Sequence, residues 1–141
     1  MDRILVPVDG SENSIKAVEK AMEIGSLKKS HITILTVVNS QRDNPYILEQ
    51  DYSTDTSKRN TENGKRVLKS ALEMCESYDG EVDTLLRNGD IAEVVIDTAE
   101  ELDIDLIVMG RRGMSISARS LLGSVSNKVL NYSNRSVLVV K

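Results

Sequence analysis

Short apolar runs of strand length alternate with stretches of helical periodicity from one end of the chain to the other. That alternation is the strongest constraint on what it can fold into. Ile4-Leu5-Val6-Pro7-Val8 reads as a first strand. Residues 12–25 then read as a helix, with Ile15, Val18, Ala21 and Met22 at helical spacing and Gly25 near its end. Residues 31–38 are rich in β-branched side chains and predict a second strand. Residues 58–78 predict a helix with Val67, Leu68, Ala71, Leu72 and Cys75 on one face. Glu81 to Arg87 alternates weakly, as expected of a strand at a sheet edge. Asn88-Gly89-Asp90 then turns into a third helix, with Asp90 placed as its N-cap. Asp105 to Met109 is continuously apolar after its first residue, the mark of a strand buried on both faces. A last helix over 124–132 and a last strand, Val137 to Val140, complete the pattern.

Such an order predicts an α/β fold: a parallel sheet with helices on both faces and right-handed crossovers. Ligands in sheets of this kind sit outside the carboxyl ends of the strands, where the strand order reverses. The 141 residues fit one domain, 1–141, on a prior of roughly 150 residues per domain. Residues 39–57 interrupt the rhythm with Pro45 and mostly polar side chains, and read as a long loop, either a lid or partner surface or a plain connection.

Composition removes several chemistries. One Cys rules out an intrachain disulfide, and one His with one Cys cannot build a zinc site of the usual kind. With no Phe, no Trp and four Tyr, a base-stacking surface for single strands lacks its rings. No run approaches the ~20 apolar residues of a membrane span, and the first residues do not resemble a signal peptide, so the expected location is cytoplasmic. Charge is divided unevenly. All 22 acids lie in residues 1–105 beside 12 bases, whereas residues 106–141 carry Arg111, Arg112, Arg119, Lys128, Arg135 and Lys141 and no acid. The last quarter therefore reads as a region that meets an anion, or else as a solvated basic surface.

Within that quarter the fourth strand runs into Gly110-Arg111-Arg112-Gly113, and nine residues later Gly123-Ser124-Val125-Ser126 opens the last helix. Gly110, at a strand end, would let a ligand lie on the backbone. Gly123 precedes a helix N-terminus, whose free N–H groups favour phosphate, and Ser124 and Ser126 add hydroxyls there. Any one of these glycines could simply end a strand or cap a helix. Together they form neither a Walker loop nor a dinucleotide fingerprint. Without a P-loop lysine or an evident base, binding is better supported than hydrolysis, and no catalytic residue is assigned.

The spacing Gly-x2-Gly-x9-Gly-Ser at Gly110, Gly113, Gly123 and Ser124 resembles the nucleotide motif of the ATP-binding branch of the universal stress proteins. The opening Ile4 to Ser11, the turn Asn88-Gly89-Asp90, the run Asp105 to Gly110 and the terminal Ser136 to Val140 resemble that family's landmarks too, so the likeness covers about residues 3–140. The resemblance implies a five-stranded sheet in the order 3-2-1-4-5, Rossmann-like, with an adenine nucleotide between the ends of strands 1 and 4. It further implies that Pro7 and Asp9 line the floor and that Val37 offers its backbone to adenine. Gly110 would lie against the ribose, while Gly113, Gly123, Ser124, Val125 and Ser126 hold the phosphates. Val8 and Met109 complete this set, and Arg112 joins it for its charge alone, because Arg111 and Arg112 fall at variable positions of the motif. Asp9 would meet ribose hydroxyls or a magnesium ion accompanying ATP; whether a protein side chain ligates the metal is unknown. Asp9 could instead cap the first helix, a place for which Ser11 competes.

Other residues read as structural. His31 lies at the opposite end of the sheet, Cys75 continues an apolar stripe, and Asp97, Glu100, Glu101, Asp103 and Asp105 read as a solvated helix face and turn. The last strand, 136–140, would be an exposed apolar edge able to pair with a second copy as a homodimer, as the family commonly does. The leading functional expectation is an ATP-binding, homodimeric stress-response or signalling regulator, whose nucleotide orders residues 39–57 and 110–123 for a protein partner. A slow magnesium-dependent ATPase or phosphotransferase is the alternative. A nucleic-acid module comes third, weakened by the acidic remainder and the missing aromatics.

Overall fold

The computed structural model describes residues 2–38, 54–112 and 122–141, with side chains in the second helix described from Lys58 onward. Five strands, β1 (Arg3–Pro7), β2 (His31–Val38), β3 (Val82–Asn88), β4 (Leu106–Gly110) and β5 (Ser136–Val140), pair in parallel in the order β3-β2-β1-β4-β5. Between them run α1 (Glu12–Gly25), α2 (Thr54–Met74), α3 (Ile91–Glu101) and α4 (Ser124–Tyr132). The α/β architecture and strand order are those expected.

The period of two along each strand divides the core into two layers. Ile4, Val6, Ile32, Ile34, Leu106 and Val108 pack against Ala17, Val18 and Ala21 of α1 and Leu68 and Ala71 of α2. On the other face, Leu5, Leu35, Ile107 and Met109 pack against Ala92, Val95 and Ala99 of α3 and Val129 of α4. Truncating one such residue to Ala costs about 2–5 kcal/mol, a large part of a domain's net stability. Cys75 belongs to the first layer, and burial pushes its thiol pKa up, so it packs rather than reacts.

Two expected apolar faces are rotated slightly. Ile15 is 41% exposed and Leu72 43%. The buried stripe of α1 instead runs through Ser14, Ala17, Val18 and Ala21. The expected 58–78 helix begins earlier, at Thr54, inside the segment read as a loop, because its first turn lacks an apolar stripe. It also ends earlier: Cys75 N–H bonds to Leu72 C=O and Tyr78 N–H to Cys75 C=O, tight turns that carry the apolar pattern past the helix. Residues 39–53 of the expected loop lie outside the described residues.

The acidic stretch is exposed, as its sequence suggests, and most of its carboxylates are paired as well. Arg135 donates to Glu100 at 2.9 Å, to Asp103 at 2.9 Å and to the Ile104 carbonyl at 3.2 Å. Arg87 pairs with Glu101 at 2.7 Å. Asp105 accepts the backbone N–H groups of Asp2 and Arg3, each at 2.9 Å. Glu100, Asp103 and Asp105 tie α3, the residue before β5 and the start of β1 together at the amino ends of the strands, and Glu101 ties α3 to Arg87 of β3. His31 lies at that end as well, 3.0 Å from Asp83. The carboxyl ends are left for a ligand.

Candidate functional site

The β1–β4 ladder is short. Ile4 pairs with Leu106 and Leu5 with Ile107, whereas β1 follows β2 as far as Pro7–Leu35 and β4 follows β5 as far as Gly110–Val140. The reason is local. Arg3 accepts from Asp105 across this ladder, and residues two and four further along turn their backbone groups the same way. Pro7 therefore lacks its N–H on the β4 side, where the ladder would need it. Beyond Leu5 the strands part.

A cleft of about 570 Å³ opens at this split. Its apolar walls are Pro7, Val8, Leu35, Val37, Met109 and Val125, with Ile91 and Ala92 from the start of α3. Asp9 and Asp90 line it beside β1 and α3, while Arg112 and Lys128 line it beside β4 and α4. Gly110, Gly123, Ser124 and Ser126 complete the wall at the mouth of α4. The fold thus brings together every site residue expected from sequence except Gly113, which lies outside the described residues.

Each polar group is set by its neighbours. Ser11 takes the cap of α1, accepting from Ser14 N–H at 3.2 Å. Asp9 instead accepts from Ser11 N–H at 2.9 Å, across Gly10 with its φ of 85°, so its carboxylate stays at the cleft. Asp90 caps α3 by accepting from Glu93 N–H at 3.1 Å. At α4 the cap is Gly123, which supplies no side-chain hydrogen bond, and the first-turn N–H groups keep their capacity for an outside acceptor.

Two of the expected site residues also make contacts within the fold. The Ser126 hydroxyl donates to the Gly110 carbonyl at 2.7 Å, so its proton is already engaged within the protein. The need for glycine at 110 comes from α1: a Cβ there would stand 2.7 Å from Asn13 Cβ and 2.8 Å from the Asn13 backbone. At the neck of the intervening segment, Gly123 N–H donates to Arg111 C=O at 2.8 Å and Arg111 N–H to Val140 C=O at 2.9 Å. Arg112 turns inward, and its Nε is buried with no hydrogen-bond partner among the described residues.

Of the six bases in the last quarter, then, Arg112 and Lys128 reach the cleft. Arg135 is held by acids at the far end, and Arg119 lies outside the described residues. Sequence reasoning missed Leu35, Asp90, Ile91, Ala92 and Lys128. The spacing from Ser124 to Lys128, one helical turn, was the available signal for the last. The neighbour signal for Asp90 and Ile91 was their position at the carboxyl end of a strand next to β2. Chemically, the cleft suits a molecule with a flat apolar part and an anionic end.

Comparison with known proteins gives a consistent picture. The description "Universal stress protein family" belongs to the family profile that matches residues 1–141. The universal stress protein MJ0531 of Methanocaldococcus jannaschii is 32% identical, over 99% of this chain and 81% of its own. The solved structure of the hypothetical protein MJ0577 superposes with a TM-score of 0.87 at 27% identity, covering 99% of this chain and 95% of that one. MJ0577 comes from the same organism. A universal stress protein crystallised in complex with cAMP superposes with a TM-score of 0.75 at 25% identity, covering 99% and 97%.

Proposed function

Because the chain belongs to the universal stress protein family, we propose that it binds an adenine nucleotide, ATP foremost, in the β1–β4 cleft and acts as a nucleotide-dependent stress-response or signalling regulator. One observation carries this reading: the ladder splits over a helix N-terminus that has no side-chain cap, and Pro7 and Gly123 are the residues responsible. The adenine lies in the aliphatic slot of Leu35, Val37, Met109 and Val125, read by backbone groups because no aromatic ring lines it. The phosphates meet the N–H groups of Ser124 to Ser126. Gly113 belongs to the same phosphate loop in this reading. Asp9 faces the ribose hydroxyls, or a magnesium ion that arrives with the phosphates and keeps most of its waters. The solved complex of a relative with cAMP agrees with adenine nucleotides as the ligand class.

The regulator acts in the cytoplasm as a homodimer, paired through the outer edge of β5, where Val137 to Val140 are half-buried and the strand has no further neighbour among the described strands. In this reading the bound nucleotide acts on a protein partner through residues 39–57 and 110–123.

Isothermal titration of ATP into the wild type and Gly123→Val tests the site. A valine Cβ at 123 would stand 3.1 Å from the Arg111 carbonyl, at the mouth of α4. Binding by the wild type and its loss in the variant are expected. Equal tight binding by both, or none by the wild type, overturns the reading.

A further inference from the structure

The charges lining the cleft are sorted by wall. Asp9 and Asp90 stand beside β1 and α3, and Arg112 and Lys128 stand beside β4 and α4, around the N-terminus of α4. Among the described residues neither cation takes part in an ion pair. Arg112 goes further, since its Nε is buried without an acceptor, an arrangement that costs stability until something accepts that proton. Lys128 lines the cleft one turn after Ser124, and side chains on a helix lean toward its N-terminus, which puts its ammonium within reach of the first turn of α4.

We propose that Arg112 and Lys128 form a clamp that selects for a polyphosphate chain, so that the site prefers nucleoside triphosphates to monophosphates. This rests on the nucleotide reading above. A single phosphate is satisfied by the N–H groups at the helix start, with no need of either side chain. Each added phosphate brings more negative charge into a cleft that already holds two carboxylates. Without Arg112 and Lys128 that addition is repelled. With them it gains two charge-assisted contacts, one of them to the orphaned Nε. The cations thus act on the second and third phosphates and leave the first alone.

Calorimetry with ATP, AMP and inorganic tripolyphosphate on the wild type, Lys128→Met and Arg112→Gln separates these contributions. Wild type is expected to bind ATP at least about tenfold more tightly than AMP. Each variant should lose about tenfold for ATP and for tripolyphosphate while AMP changes less than about twofold, the size expected of one charge-assisted hydrogen bond. Equal losses for ATP and AMP, or no loss for either, overturn the clamp, as does equal binding of ATP and AMP by the wild type, which leaves the nucleotide reading standing. Tripolyphosphate binding that depends on Lys128, with ATP no tighter than tripolyphosphate, keeps the clamp and removes the adenine slot. If the wild type binds none of the three probes, both readings fall.

Discussion

The Ser126 hydroxyl donates to the Gly110 carbonyl at 2.7 Å, and this bond joins the first turn of α4 to the last residue of β4. It sets the direction in which the free N–H groups of α4 point. Ser126 is 3% exposed, so water does not replace the bond easily.

Ser126→Ala should therefore lower stability by about 1 kcal/mol, the usual loss for one buried hydrogen bond. Thermal unfolding should show a drop of a few degrees. Nucleotide affinity should fall as well, because the helix start is no longer fixed. An unchanged melting midpoint together with unchanged affinity would show that the bond does not matter.

Gly110→Ala is expected to be worse than its size suggests. The added methyl meets Asn13 at 2.7–2.8 Å, and the Asn13 backbone belongs to the first turn of α1, which cannot simply swing away. A loss of about 1–3 kcal/mol, as for overpacking elsewhere, is the expected result in urea titration. A variant as stable as the wild type would place the glycine's importance with the ligand instead.

Stability should decline with acid in a way traceable to the carboxylates at the end of α3 and before β4. Backbone N–H groups of Arg3 and Asp2 hold the Asp105 carboxyl below its usual pKa, and Arg135 and Arg87 do the same for Glu100 and Glu101. A carboxyl whose folded pKa is depressed stabilises the fold above its unfolded pKa, and that contribution disappears as pH falls through the folded value. The protein should be insensitive from neutral pH down to about pH 5 and lose stability progressively below about pH 4. Asp105→Asn should flatten part of that acid limb in urea titrations run across pH. A limb identical to the wild type's would remove Asp105 from the account.

The outer edge of β5 can be tested without touching the core. Val140 C=O accepts from Arg111 N–H on the β4 side, so by the period of two Val139 turns its N–H outward. Val139→Pro removes that donor and leaves the β4 ladder in place. In analytical ultracentrifugation the wild type should sediment as a dimer and the variant as a monomer with an unchanged circular dichroism spectrum. Dimers of equal strength in both would move the interface elsewhere.

Much of this was legible in the chain. The runs at Ile4, His31, Leu106 and Ser136 are strands because continuous β-branched and aliphatic residues fit a sheet covered on both faces. Ser11 and Asp90 mark helix starts by their own chemistry. Gly123 marked a helix start without a side-chain cap. What could not be read was any fact that depends on a partner distant in the chain. Arg135 looked like part of an anion-binding quarter and proved to be engaged by Glu100 and Asp103. Gly110 looked like room for a ligand, and the close approach of Asn13 to it from α1 was not legible.

Sequence by itself determined the order and kind of the elements, because periodicity and capping are local and each residue carries its own preference. It also determined that any ligand between these strands meets aliphatic rather than aromatic side chains, since the strands carry no Phe, Trp or Tyr. Only the tertiary structure decided which charges face the cleft. Arg112, Lys128, Asp9 and Asp90 come from separate stretches of chain and meet only when β1 and β4 become neighbours and part beyond Leu5. Charge interacts through space, and a sequence counts its charges without saying where the fold will bring them together.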